Sequence, residues 1–521
     1  MRLSSYLSCL VLSATALVSV ARAATFDLGT ANIADINAAF DAGALSSEKL
    51  VGLYLKRIEA YDKQGPKINS VITLNTKALE EARALDAERK TKGPRSPLHG
   101  IPVVLKDLID ATGMPTTAGF KPFNAPVPPR DAFITEKLKA AGAIILAKVS
   151  TLNWFGKGFD DTHPIGITLN PYNTAHFPGG SSNGTGASIA SYFATVGIGT
   201  DTGGSVQIPS AYCSLAGMVA TQGLVSRAGI VPRGGTQDRA GPMGRNVYDI
   251  ATTLSVIAGW DAEDLITLQA MGHFPQSDWA KELGKPSLKG KRIGVLREMV
   301  AKGPEHEAGK ALFEQALDDM RKAGAVIVDP VLTGLDLLYE SQSSVGRTAE
   351  YEKIGMQNAY LAHLGSAAPY KSVQEMMTKV GYDKFEKPMV AALTLPAPEK
   401  SDEYLSRQKN RSTLIRLVTD TVARLELDAL VLPFSTIPPP PISGGGSGLA
   451  SYQSLSSNTG IPSVIMPAGY TKDNLPIAIQ FVSANFEDLT LLKIAAGYEA
   501  ASKRRKNPES VPALPGERFD Y

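Results

Sequence analysis

The chain has 521 residues, of which 43% are hydrophobic and 20% are charged, a composition typical of soluble globular proteins. Its 53 basic residues nearly balance its 51 acidic residues, which argues against nucleic acid or an anionic membrane surface as a partner. The two cysteines are Cys9 and Cys213, and Cys9 lies in a predicted signal segment, so no internal disulfide is expected in the mature protein.

Residues 1–23 predict a cleavable secretory signal. Arg2 supplies a positive charge, an apolar run from Leu7 to Val20 follows, and Ala21-Arg22-Ala23 has the small-residue pattern of a cleavage site. The apolar run is too short to span a membrane, and no later run approaches the roughly 18 apolar residues that a span needs. We therefore expect cleavage after Ala23 and a periplasmic or secreted mature protein that does not associate with a membrane.

The first part of the mature chain predicts packing elements. Four apolar residues recur at helical spacing from residue 50 to residue 61, and the pattern is repeated at residues 78–85 after a short extended segment, Val71 to Leu74. The run His99 to Asp107 follows, and its unbroken apolar centre predicts a buried strand that ends at Lys106. A lysine in that position is paired, functional or extended to solvent along its aliphatic stem.

The stretch from Phe177 to Pro209 contains two Gly-Gly-Ser turns. They are Gly179-Gly180-Ser181 and Gly203-Gly204-Ser205, and a small-residue helix (about 185–192) and a short apolar strand (194–198) lie between them. Glycine allows positive φ and a close approach of the backbone to a bound group, and the N–H groups of such a turn form a nest for negative charge. Two such turns with two hydroxyls indicate acyl-transfer chemistry, whereas one such turn alone is more often a flexible loop.

A Ser-His-Asp mechanism is the first alternative for that chemistry. Residues 180–184 match the pattern G-x-S-x-G, but the pattern requires a strand directly before it, and His176-Phe177-Pro178 stands there instead. Three of the six histidines precede Ser182, although that fold places its histidine last. Metal-assisted hydrolysis has even less support, because no pair of His or Cys residues has the sequence spacing typical of metal ligands.

A lysine base is the remaining alternative. A free lysine has a pKa of about 10.4, and burial at the end of a strand lowers that value because it disfavours the ammonium. A neutral Lys106 can take a proton from Ser181, which takes one from Ser205, if each pair lies within hydrogen-bond reach.

Three segments then resemble a known family. GIPVVLKD, PGGSSNGTGAS and GTDTGGSVQIPSAYC closely resemble the amidase signature family of serine hydrolases, and the similarity extends over most of the mature chain. The resemblance implies that Ser205 is the nucleophile, that Ser181 on a cis peptide relays the proton and that Lys106 is the base. It implies an oxyanion hole formed by the backbone N–H groups of Thr202, Gly203, Gly204 and Ser205. Ser182 either supports the relay or caps the following helix, and Asp201 is interpreted as a turn residue.

The resemblance also implies the fold. We expect an α/β protein with a mixed, mostly parallel sheet covered by helices, in a single domain spanning residues 24–521. Its catalytic core is expected at about 95–260, and C-terminal strands at about 428–483 are expected to complete the sheet. The segment 285–427 has no role that the sequence assigns.

The sequence departs from the family pattern at three positions. Gln207 stands where an arginine is usual, Asn183 where a glycine is frequent, and Asn153 near the place of an acidic residue. None of these positions is one of the three catalytic ones, but Gln207 removes a charge close to the reaction centre.

The sequence therefore predicts an exported amidase that cleaves a small-molecule or peptide amide to an acid and an amine or ammonia. No metal or organic cofactor is expected, and the protein is expected to be a monomer or a homodimer. The stretch VSRAGIVPRGGTQDRAGPMGR resembles exported bacterial peptide amidases in particular. The alternatives are an exported solute-binding protein without catalysis and the A-type subunit of an amidotransferase.

Overall fold

The computed structural model describes residues 24–341, 347–444 and 454–521, so the predicted signal, residues 1–23, lies outside the described residues. The described residues form thirteen strands, numbered in chain order: β1 (Thr25–Asp27), β2 (Val71–Leu74), β3 (Pro102–Lys106), β4 (Ile144–Val149), β5 (Val196–Asp201), β6 (Ala216–Val219), β7 (Arg239–Gly244), β8 (Arg292–Val295), β9 (Val326–Val328), β10 (Ala429–Ser435), β11 (Ser463–Tyr470), β12 (Pro476–Val482) and β13 (Arg518–Asp520).

Eleven of these strands form one large sheet, in the order β2-β4-β3-β5-β7-β6-β11-β12-β10-β8-β9. Strand β3 pairs in parallel with both β4 and β5, and β8 pairs in parallel with both β9 and β10. The remaining neighbours are antiparallel, so parallel pairs flank a broad antiparallel centre. The predicted mixed sheet covered by helices is confirmed, with more antiparallel pairing at its centre than expected. Strands β10, β11 and β12 lie in this same sheet.

Helices cover the sheet. The α-helices among the described residues are α1 (Ile33–Asp41), α2 (Ser47–Tyr61), α3 (Ala78–Lys92), α4 (Phe133–Ala140), α5 (Asn183–Ala190), α6 (Gln207–Tyr212), α7 (Val247–Ile257), α8 (Trp279–Glu282), α9 (Glu307–Lys322), α10 (Leu335–Ser341), α11 (Ala349–His363), α12 (Val373–Val380), α13 (Lys387–Ala391), α14 (Asp402–Arg424), α15 (Leu455–Thr459) and α16 (Asp488–Ser502). No helix within these described ranges is long and apolar enough to cross a membrane.

The small residues of α5 let this helix approach the ends of the strands closely. All eight of its residues are buried, and a Cβ atom at Gly184 would lie 2.2 Å from the backbone nitrogen of Ser150, which directly follows β4. Any larger residue at this position would push α5 away from β4. The absence of a side chain at Gly184 thus lets α5 pack close to the end of β4, which positions the turn before α5 near the end of β3.

The two ends of the described chain meet at a second, small sheet. Strand β1 pairs antiparallel with β13, the Ala24 N–H donates to the Tyr521 carbonyl at 2.8 Å, and the Tyr521 N–H donates to the Ala24 carbonyl at 2.7 Å. A buried ion pair between Arg57 of α2 and Glu517, 2.9 Å long, ties the C-terminal segment to the helical layer. Residue 24 is therefore already part of the folded structure.

Candidate active site

Lys106 occupies the last position of β3 and is fully buried. Its Nζ donates to Ser181 Oγ at 2.7 Å and to Thr200 Oγ1 at 2.8 Å, and it lies 5.2 Å from the centroid of the Trp154 ring. The prediction that the apolar run would carry this lysine to a buried strand end is confirmed. Because β3 and β5 are parallel neighbours, their carboxyl ends meet at one edge of the sheet, which brings Thr200 to the amine.

Burial changes the acid–base character of this amine. Desolvation lowers the pKa of Lys106 from its ordinary value of 10.5 to about 7; the carboxylates of Asp201 and Asp238 oppose this shift and Arg233 adds to it. A large fraction of the Lys106 side chains is therefore neutral near neutral pH, as a general base requires.

The two serines of the Gly-Gly-Ser turns line one cavity of about 520 Å³. The peptide bond between Gly180 and Ser181 is cis, as the resemblance implied, and the Ser181 carbonyl accepts from the Leu152 N–H at 3.0 Å. The Ser205 carbonyl accepts from the Ser182 N–H at 3.3 Å, so the two turns are hydrogen-bonded to each other. Within the described residues no hydrogen bond joins the Ser181 and Ser205 hydroxyls, and such catalytic contacts often tighten only when substrate binds.

Asp201 shapes the turn that carries Ser205. Its carboxylate accepts from the Gly204 N–H at 3.0 Å and from the Val206 N–H at 2.9 Å, and Gly204 has a φ of +111°, which favours glycine. Asp201 thus acts on the turn, as its sequence interpretation predicts. The N–H groups of Gly203 and Ser205 have no acceptor in the part of the chain that the structure describes, whereas that of Gly204 is held by Asp201.

Gln207 takes part in a buried polar network behind this turn. Its Nε2 donates to Asp201 Oδ2 at 3.2 Å, and its Oε1 accepts from Gln480 Nε2 at 2.7 Å and from Ser463 Oγ at 3.0 Å. Ser457 Oγ also donates to Asp201 Oδ1, at 2.6 Å. The neutral amide of Gln207 therefore hydrogen-bonds to Asp201 at the position where an arginine is usual. Position 207 consequently provides no positive charge to the Asp201 carboxylate.

The remaining candidate positions are held by hydrogen bonds within the scaffold. Ser182 is the N-cap residue of α5, but its side chain makes no capping hydrogen bond. Its Oγ donates instead to the Thr200 carbonyl at 3.2 Å, so the expected capping by the side chain is wrong. Asn183 Nδ2 donates to Ser150 Oγ at 2.9 Å, and Asn153 Nδ2 donates to Thr162 Oγ1 at 2.6 Å. The amide nitrogens of these two departures from the family pattern therefore hydrogen-bond locally, outside the Lys106 cluster, while Asn183 Oδ1 is buried without a hydrogen-bond partner among the described residues.

The histidines upstream of Ser182 are used elsewhere. The rings of His99, His163 and His176 each hydrogen-bond to a backbone carbonyl, those of Leu85, Thr151 and Pro439 respectively. Across the described ranges no histidine is hydrogen-bonded to Ser181 or Ser205, and no cluster of three or more His, Cys, Asp or Glu side chains is placed to hold a metal ion.

The cavity walls include residues that sequence reasoning missed. Trp154, Phe159, Phe177 and Ile208 provide an apolar surface, and the charged residues at the cavity are Arg233, Arg347 and Glu350. The last two belong to the segment 285–427, whose helix α11 begins beside the cavity. Thr200 was detectable in principle, because it lies at the carboxyl end of a predicted strand, whereas no local pattern places α11.

The chain is therefore an α/β protein with a mixed sheet and a serine–lysine site. In that site a buried lysine is hydrogen-bonded to Ser181, and Ser181 and Ser205 line one cavity. The Amidase family model matches residues 49–492. The chain therefore belongs to the amidase signature family, and its chemistry is that of an amide C–N hydrolase or of an amidotransferase.

Individual relatives differ in what they are named for. The A subunit of the glutamyl-tRNA(Gln) amidotransferase of Koribacter versatilis is 30% identical over 465 residues, covering 86% of this chain and 93% of that protein. The protein of the same name from Methanosarcina acetivorans is 32% identical, with 87% and 93% covered. Among solved structures, peptide amidase from Stenotrophomonas maltophilia is similar with a TM-score of 0.81 and 33% identity, covering 92% of this chain and 98% of that one.

Proposed function

We propose that this chain is an exported amidase that hydrolyses a carboxylic amide through an acyl-enzyme on Ser205. The observation that carries the proposal is the 2.7 Å hydrogen bond from the buried Lys106 amine to Ser181, in the wall of the cavity that also contains Ser205. The lowered pKa of Lys106 supports its role as the base.

The proposed reaction begins with two linked proton transfers. Neutral Lys106 takes the hydroxyl proton of Ser181, which takes the proton of Ser205, and Ser205 Oγ forms a bond to the amide carbon. The carbonyl oxygen becomes an oxyanion, and the unoccupied N–H groups of Gly203 and Ser205 support its stabilisation. The N–H of Thr202 is proposed for the same role, and that of Gly204 joins only if it leaves Asp201.

The acyl-enzyme forms when the C–N bond breaks. The proton on Lys106 returns through Ser181 to the leaving nitrogen, which departs as the amine or as ammonia. A water molecule then attacks the acyl carbon and gives one proton to the same relay, and the bond to Ser205 Oγ breaks to release the acid. The cycle ends with Lys106 neutral and both serines protonated.

The substrate proposal is a small-molecule or peptide amide. The largely apolar walls of the cavity and the similarity to peptide amidase support it. The relatives that are named for an amidotransferase favour a second candidate, a subunit that works in a complex. The predicted signal and the balanced charge favour the single-chain hydrolase.

Ammonia release by the purified single chain tests this proposal. We expect turnover of at least one member of a panel of aliphatic, aromatic and C-terminal peptide amides, without any added protein. Binding without turnover across the panel would favour the solute-binding alternative. Turnover that depends on a protein fraction from the native host would favour the amidotransferase alternative.

A further inference from the structure

One buried glutamine connects the turn that carries Ser205 to the start of α11. Gln237 lies two residues before β7 and is 1% exposed. Its Nε2 donates to the Thr202 carbonyl and to Asn458 Oδ1, both at 3.2 Å. Its Oε1 accepts from the N–H groups of Thr348 at 2.8 Å and Ala349 at 3.0 Å. Both ends of the side-chain amide are therefore used, one toward the turn and the other toward the helix.

The start of α11 determines which end of this amide faces the turn. Thr348 and Ala349 are the N-cap and the first residue of α11, and the N–H groups at this end of a helix have no partner within the helix. Both N–H groups are donors, so the atom of Gln237 that faces them is the carbonyl oxygen. The amino group of the side chain consequently faces the Thr202 carbonyl and donates to it.

The Thr202 carbonyl belongs to the same peptide unit as the Gly203 N–H. This unit is planar and trans, so its carbonyl and its N–H point in opposite directions and a rotation of the plane turns both. Gly203 lines the cavity together with Ser205, and its N–H has no acceptor among the described residues. The hydrogen bond from Gln237 on one side of the plane therefore determines the direction of the Gly203 N–H on the other.

Packing does not fix this peptide unit. A Cβ atom at Gly203 would have no heavy atom within 4 Å, because the backbone faces open space there. The Thr202 side chain is held separately, since its Oγ1 donates to Asp238 Oδ1 at 2.6 Å. The contact of Asp201 with the Gly204 N–H fixes the next peptide unit and not this one. The contact that orients the unit between residues 202 and 203 is therefore the one from Gln237.

We propose that Gln237 is a positioning residue that directs the Gly203 N–H toward the carbonyl oxygen of the reacting amide. This inference rests on the proposed hydrolase function. A hydrogen-bond donor stabilises an oxyanion most when its direction is fixed before the charge develops, because no reorientation is then needed during the reaction. Gln237 is not among the residues that line the cavity, so it acts through the peptide unit that it holds.

The kinetics of Gln237→Met test this role, with the amide that the wild-type protein hydrolyses fastest. Methionine is similar in length to glutamine but has no N–H to donate. We expect kcat to fall about 10- to 100-fold, somewhat less than the loss of a whole oxyanion donor costs. KM should change little, because the charge on the oxygen develops only on the way to the transition state. The decrease in activity below pH 7 should keep its midpoint, because the groups that shift the pKa of Lys106 are unchanged.

Gln357→Met is the matched control. Gln357 of α11 is 2% exposed, and its Nε2 also donates to a backbone carbonyl, that of Pro232 at 3.1 Å. The same substitution there removes a buried hydrogen bond from α11 without touching the turn, so kcat should stay close to that of wild type. Equal losses of kcat in the two variants would overturn the proposal, because activity would then follow the packing of α11.

Gln237→Glu separates the two ends of the side chain. Its carboxylate still accepts from both N–H groups of α11, and these hydrogen bonds favour the ionised form, which donates nothing to the Thr202 carbonyl. We expect kcat to fall at least as far as in Gln237→Met. If either variant is folded and hydrolyses the amide with the kcat of wild type, Gln237 has no positioning role and the hydrolase proposal stands.

Crystal structures of wild type and Gln237→Glu decide the case in which wild type hydrolyses no amide. A rotated peptide plane between residues 202 and 203 in the variant, with the Lys106–Ser181 hydrogen bond unchanged, would support the positioning role although the hydrolase proposal had failed. The same orientation of this plane in both structures would overturn it.

Discussion

Lys106 shows which single-residue properties a sequence reveals. The apolar run before it predicted burial, and burial alone accounts for the direction of its pKa shift. Its second hydrogen-bond partner, Thr200, and the ring of Trp154 were not predicted. Both come from segments distant in the chain, and only the pairing of β3 with β5 and the path of the loop after β4 bring them to the amine.

The pH dependence of activity tests Lys106 as the base. With a folded-state pKa of about 7, kcat/KM is expected to fall as the pH drops below 7 and the amine becomes protonated. Lys106→Arg should be inactive throughout, because arginine stays charged. Replacing His99, His163 or His176 singly should not move this decrease in kcat/KM at low pH, the acid limb of the pH profile. An acid limb that moves with one of these histidines, or an active Lys106→Arg variant, would contradict the assignment.

The same shift predicts a dependence of stability on pH. The pKa of Lys106 is lower in the folded state than in the unfolded chain, so between about 7 and 10.5 the unfolded chain binds more protons. Relative to Lys106→Met, wild type should therefore gain stability as the pH rises through this window. Below pH 7 the loss of stability caused by the buried amine should be at its maximum. Denaturant unfolding of both proteins at several pH values measures the difference. A constant difference across the window would show that the amine is not desolvated.

At the scale of elements, the turn that carries Ser205 was predictable and the network behind it was not. The Gly-Gly-Ser pattern indicated the turn, and Asp201 was interpreted correctly as a turn residue. The partners of Gln207, by contrast, come from β11 and β12, more than 250 residues further along the chain. No spacing rule connects such positions, because strand order in a sheet is a property of the whole chain.

Asp201→Asn tests how far this turn controls the nucleophile. An amide can replace only one of the two acceptor oxygens that hold the Gly204 and Val206 N–H groups, so the turn should shift. We expect kcat to fall about tenfold or more and the free energy of unfolding to drop by about 1–3 kcal/mol. The acid limb should move to lower pH, because the Asp201 charge raises the pKa of Lys106.

Ser457→Ala is the matched control for that change. It removes one hydrogen bond to the same carboxylate and leaves both backbone contacts in place. Its effect on kcat should be clearly smaller than that of Asp201→Asn. Equal losses in the two variants would mean that the network as a whole, and not the two backbone contacts, positions Ser205.

At the scale of the whole molecule, the family resemblance predicted more of the fold than the periodicity of apolar residues did. Strand β2 was predicted with its observed ends, while β5 and α5 are displaced by a few residues from the expected segments. The segment 285–427 received no role, yet it supplies α11 and two charged residues that line the cavity, Arg347 and Glu350. An amphipathic pattern predicts that a helix packs against the protein, but it does not identify the surface against which it packs. The contribution of this segment to the cavity wall is therefore visible only in the folded structure.

The mature N-terminus is a prediction at this same scale. Protein isolated from the native host should begin at Ala24, in accordance with the Ala21-Arg22-Ala23 site. A chain that starts there retains the pairing of β1 with β13 and both hydrogen bonds between Ala24 and Tyr521. Edman sequencing or terminal peptide mass measures the first residue. Active cytoplasmic protein with Met1 intact would contradict export.

The most direct measurement of the central claim is the site of covalent labelling by phenylmethanesulfonyl fluoride, located by peptide mass spectrometry. Sulfonylation requires an activated nucleophile, and the proposed relay activates Ser205 through Ser181 and Lys106. One adduct on Ser205 is predicted, with loss of amide turnover in proportion to labelling, no adduct in Ser205→Ala and greatly slowed labelling in Lys106→Met. An adduct on a different serine, or amide turnover retained by Ser205→Ala, would contradict the account.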